Sequence, residues 1–149
     1  MTQYIYLASP VKLPRGSYGQ DPVYPGNPII FKTELDFIHL AFENNYDPRL
    51  KQKFSYSQHF SYDYQVSAYA SCIPFKYRLK GTPGEEKCLR ILYDYMEEAI
   101  QTSGTLEYFT SLNGRENKPL EKRRSVRWTD IKDPYDLVLE DREFWEITV

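Results

Sequence analysis

The residues around position 83 constrain this chain more than any other feature. Thr82-Pro83-Gly84-Glu85 is a capping box. The threonine hydroxyl can accept from the N–H three residues on, the glutamate can reach back, and the proline sits where its missing N–H costs nothing. Cys88, Leu89, Ile91, Leu92, Tyr95, Met96, Ala99 and Ile100 follow at helical spacing, and Glu86, Arg90, Asp94 and Glu97 occupy the opposite side. Glu86–Arg90 and Arg90–Asp94 are i,i+4 pairs of opposite charge. Gly104 supplies the left-handed residue that closes a helix. The spacing predicts one amphipathic helix over about 83–103, whose wide apolar stripe needs a sheet to lie across.

The flanking segments offer strands rich in tyrosine, with 14 Tyr against 8 Phe and 2 Trp. Tyrosine suits half-buried sheet positions, because its ring is apolar and its hydroxyl wants a partner. Positions 3–8 read as a short strand. From 54 to 70 the even positions carry Phe54, Tyr56, Phe60, Tyr62, Tyr64, Val66, Ala68 and Ala70, and the odd positions are mainly polar. Gln58 is the one polar residue on the apolar side. This alternation predicts a long strand with Tyr56, Tyr62 and Tyr64 inward, bent near Gln58 because strands rarely exceed about ten residues. Further strands are expected over 75–79, over 105–112 before the Asn113-Gly114 turn, around 124–128, and at the end through Trp145, Ile147 and Val149.

Positions 29–43 are mixed. Phe31, Leu35, Ile38 and Phe42 fall at helical spacing, yet polar and apolar residues alternate through 33–37. The strand reading is preferred, since a turn cluster at 44–48 would join it to the long strand. Positions 129–136 read as a turn or a short helical piece broken at Pro134. The expected fold is α+β: a mainly antiparallel, twisted, tyrosine-rich sheet packed against one long amphipathic helix, in one domain over 1–149.

Positions 9–28 hold five of the ten prolines and three of the seven glycines. Regular structure is disfavoured there. A loop of this length inside a compact domain is either functional or disordered, or else a surface wrap whose prolines limit its entropy. It carries Lys12, Arg15, Tyr18 and Tyr24, and Arg15, Tyr18 and Tyr24 are candidate binding residues. Tyr69, on the polar side of the predicted long strand, is another.

The two histidines, His39 and His59, would form an acid–base pair if they faced each other across the predicted hairpin. The alternative is a pair of ordinary strand histidines. No HxH, HExxH or paired CxxC pattern occurs, and no GxSxG elbow or phosphate-binding glycine loop. Neither a metal site nor a cofactor is expected. Cys72 and Cys88 fall in different elements and are expected to be two thiols in a reducing compartment. The chain begins with a strand-like run rather than an export signal, and no apolar run reaches membrane length. A cytoplasmic protein without a membrane partner is the expectation.

Charge is segregated near the end of the chain. Positions 115–128 hold six basic and two acidic residues; positions 130–149 hold seven acidic and two basic. Arg123 and Arg127 would share one face of a strand and offer bidentate donors to an anion. Pairing between the two stretches is the plainer outcome. A net charge of −2 argues against nucleic-acid binding. The preferred reading is a non-enzymatic interaction or regulatory protein that binds another protein. The alternative is a small-molecule binder or enzyme whose pocket is covered by the 9–28 loop and lined by Arg15, Tyr18, Tyr24, His39 and His59. A weaker alternative is nucleic-acid binding through the 122–127 basic cluster.

Overall fold

The computed structural model describes residues 2–24, 26–47, 49–74, 76 and 81–149. In chain order the elements are β1 (Gln3–Ser9), β2 (Gly16–Tyr18), β3 (Pro22–Tyr24), β4 (Asn27–Phe31), α1 (Glu34–Phe37), β5 (Leu40–Asn44), β6 (Tyr46–Asp47), β7 (Gln52–Lys53), β8 (Tyr64–Tyr69), α2 (Pro83–Ser103), β9 (Thr105–Leu112), β10 (Lys122–Arg127) and β11 (Glu143–Thr148). Seven strands form the main sheet in the order β10-β11-β9-β1-β8-β5-β2. Every neighbouring pair is antiparallel except β10 with β11. β3–β4 and β6–β7 are separate two-stranded ribbons. The fold is thus α+β with one long helix, as the capping box and the strand patterns predict.

The helix α2 forms as its caps dictate. Thr82 Oγ1 accepts from the Glu85 N–H, the Glu85 carboxylate accepts from the Thr82 N–H, and Gly104 closes the helix at φ +77°. Its stripe of Cys88, Leu89, Leu92, Tyr95, Met96, Ala99 and Ile100 is buried. It meets a sheet face built from Ile5 and Leu7 on β1, Val66 and Ala68 on β8, Leu106 and Tyr108 on β9, and Trp145 and Ile147 on β11. The register sets these side by side: Ile5 opposes Ala68, and Leu7 opposes both Val66 and Tyr108. Ile131, Leu137, Val138 and Leu139 close one flank.

The opposite sheet face carries a second, smaller core of Tyr6, Phe109 and Phe144, with Tyr4, Tyr56, Phe60 and Leu120 packed on it. Here the long-strand expectation fails. β8 begins only at Tyr64, and the 54–63 segment leaves the sheet to lie over this back face. Side chains rather than a strand ladder accept from five of its backbone N–H groups, while Phe54 donates to the Asn45 carbonyl. Gln65 Oε1 accepts from the Tyr56 N–H at 2.9 Å. Glu107 accepts from the Ser61 and Tyr62 N–H groups at 3.0 and 3.1 Å and from the Ser61 hydroxyl at 2.9 Å. The Ser57 hydroxyl donates to the Glu116 carbonyl at 2.8 Å, and the Gln58 N–H donates to Asn117 Oδ1 at 2.9 Å. Alternating aromatics suit a cover as well as a strand, because Tyr56 and Phe60 can pack on the back face without a strand ladder. Tyr56 and Tyr62 are consequently half-buried in the cover, and Tyr64 is exposed.

The two expected thiols are instead one disulfide, Cys72–Cys88, with its Cα atoms 6.3 Å apart. It ties the turn after β8 to the first turns of α2. The 9–28 segment is also more regular than its prolines imply, since it holds β2, β3 and the start of β4. Positions 29–43 divide into the end of β4, the single turn α1 capped by Thr33, and β5. β5 does not form a tight hairpin. It pairs with β8 (Phe42 opposite Ala68) after an excursion that contains β6 and β7. Pro134 starts a 3-10 turn, Pro134–Leu137, rather than breaking a helix. The strands predicted over 105–112 and 124–128 and at the end of the chain form as β9, β10 and β11. The strand predicted over 75–79 falls, except for Lys76, outside the described residues. No helix among the described residues is long and apolar enough to cross a membrane.

Candidate functional site

One wall of a groove is set by a buried anchor in the proline-rich segment. Leu13 is buried in the main core, and the Tyr95 hydroxyl donates to the Pro14 carbonyl, which fixes the chain against α2. Lys12 and Arg15 flank this anchor and are exposed. β2 then pairs with β5, Gly16 opposite Phe42 and Tyr18 opposite Leu40. The facing wall is the β5 end and the β6–β7 ribbon. Asn44 Oδ1 accepts from the Tyr46 N–H at 3.2 Å, and Asp47 Oδ1 accepts from the N–H groups of Arg49 and Leu50 at 2.9 and 3.3 Å.

Three depressions adjoin here, all sharing Asn44 and Tyr46. The first, about 260 Å³, adds Lys12, Lys53, Tyr64 and Gln65. The second, about 470 Å³, adds Lys12, Pro14 and Arg15. The third, about 630 Å³, adds Arg15, Glu43, Asp47, Arg49, Phe54 and Tyr56. Tyr46 is 45% exposed at the junction. Lys53 lies over the Tyr64 ring, 5.4 Å from its centroid, and 3.8 Å from Asp63. The floor is hydrogen-bonded: Asn45 and Gln65 are buried, and their amides donate to the carbonyls of Asp63 and Tyr62.

The residues singled out from sequence do not converge. Arg15 lines the groove. Tyr18 packs edge-on against Phe42 and Tyr95, each at 5.7 Å. Tyr24 is 63% exposed on β3, and Tyr69 is exposed with its ring edge-on to Tyr4. His39 Nδ1 donates to the Phe37 carbonyl at 2.8 Å. His59 Nε2 donates to the Lys118 carbonyl at 2.8 Å, with its ring 5.7 Å from Phe109 in the back cover. The acid–base pair across a hairpin therefore does not form. Arg123 pairs with Glu146 and lies over the Phe144 ring, and Arg127 is exposed at the end of β10.

Much of the segregated charge is matched internally. Lys122 pairs with Glu140, Arg142 with Glu121, and Arg115 with Asp141. Sequence reasoning passed over Tyr46, Asn44 and Lys53, which lie in a turn cluster and beyond it. A usable signal was Lys12-Leu13-Pro14-Arg15, an apolar anchor between two cations. No protein-family model, curated protein or solved structure matches this chain.

Proposed function

We propose that the protein is a non-enzymatic interaction protein, one domain over 1–149, that takes an extended segment of another protein into the groove around Tyr46. The observation that carries this reading is the sharing of Asn44 and Tyr46 by three adjoining depressions. They make an open trough beside the edge strand β2 rather than one enclosed cavity. Tyrosine and arginine are the side chains that interfaces favour, because each combines broad apolar contact with polar recognition. Tyr46, Tyr56, Tyr64, Arg15 and Arg49 all line this trough.

A second reading is a small-molecule binder. It is favoured by one observation, that the early part of the 9–28 segment forms a wall of the groove and contributes Arg15. Nucleic-acid binding through 122–127 draws less support, since Lys122 and Arg123 have carboxylate partners. The Cys72–Cys88 bond favours an oxidising compartment over the reducing cytosol.

Affinity capture with wild-type protein and the Tyr46→Ala/Arg15→Ala variant, from the native source, tests the proposal. Both side chains are exposed, so the variant keeps its fold, checked by circular dichroism. At least one partner should fall about tenfold or more in the variant. Equal recovery of every partner would contradict the reading, and depletion of a co-purifying metabolite alone would favour the small-molecule one.

A further inference from the structure

We infer that the groove is graded in charge, and that the segment it takes is anionic at one end and aromatic or apolar at the other. This rests on the reading of the groove as a recognition surface. The first two depressions are lined by Lys12, Arg15 and Lys53 with Leu13, Pro14, neutral amides and tyrosines and, among the described residues, by no carboxylate. That is notable in a chain of net charge −2. The third depression changes character: Glu43 and Asp47 offset Arg15 and Arg49, and Phe54 and Tyr56 supply apolar surface. Asp63 lies 3.8 Å from Lys53, but both are well exposed, so the pair is weak and open to competition.

The gradient selects among anionic partners. A nucleic-acid strand is uniformly charged and would lay phosphates against Glu43 and Asp47, where like charges repel. A peptide with carboxylates or phosphates at one end places them over Lys12 and Lys53. Its apolar end then reaches Phe54 and Tyr56. Both anionic groups share the chemistry of a charged oxygen accepting from Lys and Arg, and the experiment below distinguishes them.

The probes are short fluorescein-labelled peptides with a glutamate block at one end and a leucine–tyrosine block at the other, in both chain directions. Phosphoserine-block, lysine-block, uncharged and all-glutamate versions and an oligothymidine serve as comparisons. Anisotropy titration should show one glutamate- or phosphoserine-block peptide binding wild-type protein best, and the tighter of the two identifies the anion. Lys12→Glu/Lys53→Glu should weaken it about tenfold or more and improve the lysine-block peptide. Asp63→Asn should tighten the acidic peptide, and added salt should weaken it.

The inference is overturned if the oligothymidine or the all-glutamate peptide binds as tightly as the block peptides. It is also overturned if the charge reversal leaves acidic-block binding unchanged. Should the uncharged peptide then bind and lose affinity with Tyr46→Ala, the groove remains a recognition surface and only its charge selectivity falls. Binding of no peptide overturns the inference, while the capture comparison still decides the broader reading.

Discussion

Glu107 shows how one side chain decides the path of a distant segment. It points from β9 into the back face, is 3% exposed, and accepts from two N–H groups and one hydroxyl of residues 61 and 62. A carboxylate so enclosed is tolerable only because its lone pairs are filled. Glu107→Ala would orphan those donors and should destabilise the fold by about 2–3 kcal/mol in urea unfolding. Nothing near Glu107 in sequence announces this role, since its partners lie more than forty residues away. The buried tyrosines make a second residue-level prediction. Burial, with Glu116 assisting, pushes the Tyr6 hydroxyl from its ordinary value near 10 up to about 12, and burial also raises Tyr95 and Tyr108. Above pH 10 the unfolded chain gives up these protons while the folded chain holds them. Stability from this source is therefore complete below about pH 10 and declines as pH rises towards 12. Chemical denaturation at stepped alkaline pH should show that fall, and Tyr6→Phe should reduce it.

At the scale of elements, the best-read part of the chain is the helix, because its signals are local. Cap, stripe and closing glycine all fall within the segment they define. Thr82→Ala removes the acceptor for the Glu85 N–H and should cost about 1 kcal/mol in thermal or urea melts. The strands β9 and β11 were legible for the same reason, since their alternation and flanking turns are contiguous. The 54–63 segment was not. Alternation records where aromatic side chains recur, but not whether the backbone donors go to a neighbouring strand or to Gln65 and Glu107. The disulfide was equally hidden, for spacing alone cannot bring Cys72 and Cys88 together. Its two cysteines are sixteen positions apart, so reduction or Cys72→Ser/Cys88→Ser should lower stability by about 3 kcal/mol. Parallel melts with and without reductant would measure this.

For the whole molecule, layering explains where a recognition surface can be. The helix and the Ile131–Leu139 region cover one sheet face, and the 54–63 segment covers much of the other. At the β10 edge, basic side chains are held by Glu140 and Glu146, and charged edges resist adding another strand. The opposite edge ends in the three-residue β2, beside which the groove opens. Of the candidate site, only Arg15 was named from sequence as a binding residue. Its companions come from β5, β6 and β7, which the pairing of β5 with β8 carries to the same edge. The most direct test of this account replaces Tyr46 with a photo-reactive benzoylphenylalanine, and in separate samples Tyr24, Tyr69 or Arg127, each exposed elsewhere. Irradiation in the native source should cross-link a discrete protein partner from position 46 and not from the other three. Cross-linking from position 24, 69 or 127 with none from position 46 would contradict the groove as the site of recognition.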